Sequence, residues 1–279
     1  MKFRVAMDSA GELQEAFKGK DEYRIVPLTL MIGDEEIIDD GTINQKVLIK
    51  KIADSPTCAK TACPSPEAYF REYDCGAEHV YGVTISAELS GSFQSAVIAR
   101  DMYLDKYPDA KIHVFNSRST SVGETMIVHM ITQMEAEGVP FEEIVETIEA
   151  WNDEKLTYFT LDNLETLRKN GRLSRLKALA ATVLKIKPIC IGNHEGIIEQ
   201  IDQARGSNKA LIKMVDHIVE GTADPEKKLL GISHCNCYER AVMVRDAILK
   251  RMHVKEVILQ ETGGLSTVYA NDGGIIVVI

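Results

Sequence analysis

An α/β fold is predicted for this chain by three observations. Short apolar runs of β-forming residues alternate with longer stretches of helical spacing. Helix stops and restarts separate them, and no repeat or low-complexity tract interrupts the pattern. Such alternation implies parallel pairing with helices on the sheet faces. With 279 residues, 45% of them hydrophobic, the chain can bury a substantial core. Two α/β domains are expected, residues 1–155 and 156–279.

Residues 3–7 read as the first strand. Met1-Lys2-Phe3-Arg4-Val5-Ala6-Met7 is too short and too quickly polar for a secretion signal. Residues 25–31, 80–85 and 111–115 are further strands. Between the last two, the apolar spacing from Phe93 to Met102 suits a helix. Residues 122–136 and 141–151 are helical, separated by Gly138-Val139-Pro140, a stop followed by a restart. This half is expected to hold a parallel sheet with flanking helices.

Past residue 155 the pattern predicts a helix at 161–170, stopped by Gly171, with Arg168 and Lys169 in its last turn. A second helix is expected at 175–185, and Pro188 opens the next strand. Strands follow at 197–201, 229–233, 257–260 and 275–279, with helices at 208–219 and 238–252. Gly192-Asn193-His194-Glu195-Gly196 reads as a hairpin connection, so the second sheet is expected to be mixed.

Composition excludes several functions. A net charge of −10 with acids spread widely argues against nucleic acid or an anionic membrane surface as a partner. No apolar run approaches the roughly 20 residues that span a bilayer. A cytoplasmic protein is expected, because six irregularly placed cysteines suit reduced thiols better than a disulfide framework. His234-Cys235-Asn236-Cys237 lacks the second pair a structural zinc needs. It reads as a strand end and turn. Asp39-Asp40 reads as a solvated turn. Neither a metal nor a cofactor is expected.

Catalytic motifs are also missing. Ser174-Arg175-Leu176-Lys177 has a hydrolase spacing without its companion motifs, and no nucleophile elbow or nucleotide loop occurs. The strongest signal lies elsewhere. A β-rich run from His79 meets Ser90-Gly91-Ser92 and opens directly into a helical segment, leaving amide donors at the helix start. A second hydroxyl turn, Thr61-Ala62-Cys63-Pro64-Ser65, lies upstream. Two such turns with no charged group inside them read as an anion site built from neutral donors.

Seven pieces in order also carry a family resemblance. They are Asp8-Ser9, Pro27-Leu28-Thr29, the Thr61 turn, Leu89-Ser90-Gly91-Ser92, Asn116-Ser117-Arg118, the run from Leu164 to Ser174, and Lys187-Pro188. Over essentially its full length the chain resembles the DegV family of bacterial fatty-acid-binding proteins. That resemblance implies a long-chain fatty acid held in a tunnel between the two domains. It also implies a non-catalytic carrier that presents the acid to a separate fatty acid kinase subunit for acyl-phosphate formation. By resemblance, Thr61 and Ser90 contact the carboxylate, with Gly91 and Ser92 providing nearby amides.

Near the C-terminus the family's histidine aligns with Tyr269, whose phenol can still donate a hydrogen bond. Arg172, following Gly171, is expected to extend outward and dock the kinase. Residues 126–131 are candidate tunnel lining. The alternative is a transferase or hydrolase acting on an anionic substrate in the interdomain cleft. It would bring Asp8, His194 or Asp272 beside the Ser90 turn.

Overall fold

The computed structural model describes residues 1–173 and 186–279. The helix expected at 175–185 and the segment Ser174-Arg175-Leu176-Lys177 lie outside the described residues. Strands β1 (Phe3–Asp8), β2 (Tyr23–Val26), β6 (His79–Thr84) and β7 (Lys111–Asn116) form a fully parallel sheet in the order β2-β1-β6-β7. Alternate residues of these strands face opposite layers, as the period of two requires. Val5, Met7, Tyr81 and Val83 pack with Ile127, Ile131, Ile144 and Ile148 of α4 (Val122–Glu137) and α5 (Phe141–Glu154). Ala6, Val80 and Val114 meet the other layer, Tyr69 and Tyr73 of α2 (Pro66–Tyr73) and Ala96 and Ala99 of α3 (Ser92–Lys106).

The second sheet is mixed, as expected from the 192–196 hairpin. Its order is β10-β9-β8-β13-β11-β12, built from β8 (Thr157–Thr160), β9 (Ile186–Gly192), β10 (Ile198–Arg205), β11 (Leu229–His234), β12 (Glu256–Glu261) and β13 (Ile275–Val278). Only β11 and β12 run parallel; the other pairs are antiparallel. One face packs Tyr158, Ile189, Ile232 and Val277 against α7 (Ser207–Gly221) and α8 (Tyr238–Leu249). The opposite face looks toward the parallel-sheet layers.

Helix α4 lies between the two sheets. Its Val122 and Met126 pack on Val278 and Leu229 of the mixed sheet while Ile127 and Ile131 serve the parallel one. A helix that is apolar on several sides is one buried on several sides. Gly231 makes the close approach possible, since a Cβ there would stand 2.5 Å from the Met126 sulfur and 2.7 Å from Val122. This corrects the expected tunnel lining at 126–131: those side chains are spent on sheet packing.

Three local expectations also change. The strand expected at 25–31 is two strands broken at Pro27, which has no amide to continue a ladder. Its second part, β3 (Thr29–Ile32), joins β4 (Glu35–Ile38) and β5 (Lys60–Ala62) in a small antiparallel sheet, β4-β3-β5. Thr61 therefore sits on a strand opposite Leu30, not in a turn. The helix expected at 161–170 shortens to α6 (Glu165–Lys169), because residues 161–164 after β8 lie in neither helix nor strand. The small sheet packs Leu30 and Ile32 with Leu48 of α1 (Gln45–Asp54) and with Leu265 and Val268 of α9 (Gly264–Ala270).

Candidate functional site

In the parallel sheet β1 is flanked by β2 on one side and β6 on the other, so the chain changes winding direction between β1 and β6. Loops at the carboxyl ends of strands diverge at such a point and leave a crevice. A cavity of about 330 Å³ lies there, between those loops and the inner face of the mixed sheet. Thr157, Phe159 and Leu161 line it from β8 and its continuation, spaced by two as one strand face requires. Ile276, opposite Phe159, and Ile198 extend that wall. Leu28, Ile85 and Leu89 form the facing apolar wall.

The β8 sequence gives the cavity a direction. At the Leu161 end stand Leu167, Arg172 and Tyr269 from the C-terminal half, and Thr61, Cys63, Ser90 and Gly91 from the N-terminal half. Thr61 Oγ1 and Tyr269 OH are 2.9 Å apart, so one hydroxyl donates to the other and one hydrogen stays free. Ser90 Oγ accepts from the Ser92 amide at 3.2 Å, leaving its own hydrogen to give. The Gly91 amide has no partner among the described residues. These groups form a neutral donor set around one end of an apolar cavity.

Two of the sequence-predicted residues stand differently from expectation. Ser92 is fully buried behind the turn, its hydroxyl donating to Asp8 Oδ2 at 2.5 Å with Tyr69 OH 2.6 Å away. It does not line the cavity. Arg172 does not extend outward. Its guanidinium folds back onto the carbonyls of Leu89, at 3.1 Å, and Asn170, and lines the cavity rim. Backbone carbonyls explain that pose: they are the nearest acceptors for a cation beside an apolar wall. Thr61, Ser90, Gly91, Arg172 and Tyr269 are thus brought together.

Sequence reasoning missed the layer behind this wall, where four carboxyls are gathered. Asp39, read as part of a solvated turn, is buried and accepts the Leu265 amide at 2.7 Å, while Asp40 is exposed. Glu12 accepts from Ser121, from the Gly263 amide at 2.7 Å and from Gln260 Nε2 at 2.6 Å. Both acids therefore hold the start of α9, the helix that carries Tyr269. Burial raises Glu12 to about 7 and Asp39 to about 6.

Asp8, at the end of β1, accepts from the Ile85 amide at 3.1 Å, the Ala10 amide at 3.0 Å and Ser92. Burial nonetheless raises its carboxyl. Glu124 is fully buried, neither of its oxygens has a donor among the described residues, and burial together with the Asp8 charge pushes it well above the carboxylate range. The clustering was invisible in sequence, because Asp39 and Glu124 lie far along the chain from Asp8 and Glu12 and from each other.

None of the residues an enzyme reading would place at the turn lines the cavity. Asp8 lies behind it, His194 is exposed on the hairpin, and the Asp272 carboxylate accepts from Asn236 outside it. His234 ends β11, Cys235 follows in the turn and Cys237 precedes α8. Among the described residues no group of three or more His, Cys, Asp or Glu side chains is arranged to hold a metal ion. Among them, too, no helix is long and apolar enough to cross a membrane.

Comparisons with known proteins follow the same lines. A family model described as "Uncharacterised protein, DegV family" matches residues 2–279. A DegV-family protein of Ruminococcus gnavus, whose crystal structure is described with vaccenic acid, is 48% identical. It aligns over 100% of this chain and 99% of its own with a TM-score of 0.96. A DegV-family protein of Eubacterium eligens loaded with heptadecanoic acid is 32% identical over 99% of this chain and 98% of its own, with a TM-score of 0.89. The Fatty Acid Kinase (Fak) B3 protein of Streptococcus pneumoniae, loaded with linoleic acid, is 28% identical over 100% of this chain and 99% of its own, with a TM-score of 0.90.

Proposed function

The chain belongs to the DegV family, and from that premise we propose that it binds one long-chain fatty acid in the cavity and presents it to a separate kinase. The observation that carries this reading is the cavity's polarity. Its walls are apolar, and its Arg172 end holds the Thr61–Tyr269 pair, the Ser90 hydroxyl and the Gly91 amide. A carboxylate needs hydrogen bonds more than a full counter-charge, and neutral donors avoid desolvating a second ion. In this reading Ser92 supports the turn from behind through Asp8, and Tyr269 stands where the family histidine would. Residues 1–155 and 156–279 act as two domains meeting over the ligand.

The acyl tail supplies most of the affinity. Each buried methylene contributes about 0.8 kcal/mol before ordering costs. The fatty acids named with the Ruminococcus, Eubacterium and Streptococcus structures support this ligand class. The kinase name attached to the Streptococcus protein supports a carrier role in the cytoplasm, with acyl-phosphate formation by the partner. Arg172, held over the rim by Leu89 O, is then placed both to close the head-group end and to meet the kinase. The carrier itself is not the catalyst.

Native mass spectrometry of protein purified from cells tests the ligand class. A co-purifying acyl acid supports the carrier. An empty protein that refuses added long-chain acids in calorimetric titration rejects it. Presentation is tested separately by acyl-phosphate formation in a reconstituted mixture with kinase and ATP.

A further inference from the structure

The end of the cavity opposite Arg172 is not plain hydrocarbon. There the lining passes from Phe159 and Ile276 to Thr157, Ser119 and Thr120. Ser119 and Thr157 are both nearly fully buried, and their hydroxyl oxygens are 2.7 Å apart. The pair holds two hydrogens and uses one on itself. The best remaining acceptor, the Thr120 carbonyl, lies 3.5 Å from Ser119 Oγ, at the limit of a hydrogen bond. Among the described residues, one donor and several lone pairs are therefore left at the far end of an apolar space. Buried polar groups are rarely left so, because an unmade bond there is costly.

The surroundings fix what such a group can receive. Arg118 is the cation at this end, and its guanidinium is engaged by Asp153 at 2.5 Å and the His194 carbonyl at 3.4 Å. Gly196 closes the end from the hairpin. Its carbonyl accepts from Ser86 Oγ at 2.9 Å, and a Cβ there would stand 2.9 Å from the Arg118 backbone. Opposite Thr157 in the ladder is Gly192, which places no side chain beside the hydroxyl pair. Among the described residues the head-group end offers three free neutral donors, enough for a carboxylate. The far end offers one, enough for a single neutral oxygen.

We propose that the far end is a subsite for an oxygen-bearing acyl tail, so that the ligand class extends to fatty acids with a hydroxyl or keto group near the methyl terminus, read by the Ser119–Thr157 pair. The inference rests on the fatty-acid reading and deepens it. A purely apolar end would reject a tail hydroxyl by about tenfold or more, since the group would be buried unpaired. Here the hydroxyl exchanges a water partner for Thr157.

The test is a calorimetric comparison of saturated acids with their ω-hydroxy counterparts across a series of chain lengths. At the best-matched length the wild-type protein should bind the ω-hydroxy acid within about threefold of the saturated acid, or more tightly. Thr157→Val, which keeps the shape and removes the hydroxyl, should shift the ratio of the two affinities at least about tenfold against the hydroxy acid, whatever it does to saturated-acid binding itself. Thr157→Ser should restore the wild-type ratio. Should the valine variant not fold, Thr157→Ala reads the same ratio. Rejection of every ω-hydroxy acid by more than about tenfold, or an unchanged ratio in Thr157→Val, overturns the subsite. Failure of both acid series to bind overturns the fatty-acid reading as well, and so is told apart from failure of the subsite alone.

Discussion

The cavity wall and the layer directly behind it treat charge in opposite ways. Among the described residues the wall carries hydroxyls and an amide but no carboxylate, whereas the layer behind gathers Asp8, Glu12, Asp39 and Glu124. An acid lining would repel an acidic ligand, so the lining is neutral. The acids are placed where they hold backbone amides and hydroxyls of α9 and of the Ser90 turn. One region meets the ligand, and the other aims it. The contrast can be broken from either side.

The largest effect should come from Gly264, where the two regions touch. A Cβ there would stand 2.1 Å from Asp39 Oδ1 and 2.5 Å from its Cγ, so the carboxyl must leave. Gly264→Ala should then cost about 3 kcal/mol or more in denaturant unfolding, the usual result of breaking a buried charged contact. It should also weaken fatty-acid binding, because Tyr269 rides on the same helix. A variant as stable as wild type would mean that Asp39 does not anchor α9.

Second in size is the pH dependence of stability. Burial raises Glu12 from 4.5 to about 7, so the folded state holds this proton more tightly than the unfolded chain does. Its contribution is fully present below about pH 4.5 and is lost as pH rises through about 7. Asp39, raised to about 6, behaves alike over a slightly lower window. Glu12→Gln mimics the neutral acid and should flatten the decline, by roughly 2 kcal/mol between pH 5 and pH 8 on the scale of 1.36 kcal/mol per pKa unit. A variant whose pH profile runs parallel to wild type would remove Glu12 from this account.

On the ligand-facing side, Thr61→Val and Ser90→Ala should each weaken binding by roughly 1.5–3 kcal/mol, about tenfold to more than a hundredfold, with stability nearly unchanged. Thr61 and Tyr269 share a hydrogen bond, so Thr61→Val and Tyr269→Phe should be less than additive in a double-mutant cycle. Full additivity would mean that the two hydroxyls act on the ligand independently. Arg172→Ala separates two roles. Equal loss of binding and of acyl-phosphate formation places it at the rim, and loss of the second alone places it in kinase docking.

The asymmetry also explains what was legible in the sequence. The parallel sheet was readable because Phe3–Asp8 is an apolar run and His79–Thr84 and Lys111–Asn116 are apolar runs followed by helical periods. The Ser90 turn was readable because its donors are consecutive in sequence. Strand β8 escaped notice, since Thr157-Tyr158-Phe159-Thr160 is four residues lying between two helical patterns. Asp39 was misread for a related reason. Nothing local distinguishes an acid in a solvated turn from one that meets an amide 226 positions away. Residues 126–131 looked like a tunnel wall because an apolar helix serves two sheets as readily as one cavity.

The smallest expected effect is a fraction of a proton, and it tests whether the two regions sense each other. Glu12 and Asp39 titrate near 7 and 6, so near neutral pH each is partly protonated. A fatty-acid carboxylate entering in front of them adds a negative charge to their surroundings. Two charges about 10 Å apart at an effective dielectric of about 20 interact by about 1.7 kcal/mol, a little over one pKa unit. Binding should therefore raise both groups further and take up protons between about pH 6 and pH 7.5. At pH 9, with both groups ionised before and after binding, the uptake should vanish. Titration calorimetry in buffers of different ionisation enthalpy at one pH measures it directly. Glu12→Gln combined with Asp39→Asn should abolish the uptake while leaving the Thr61, Ser90 and Gly91 donors in place. Equal binding enthalpies in all buffers at pH 6.5 would mean that the acids aim the site without sensing what fills it.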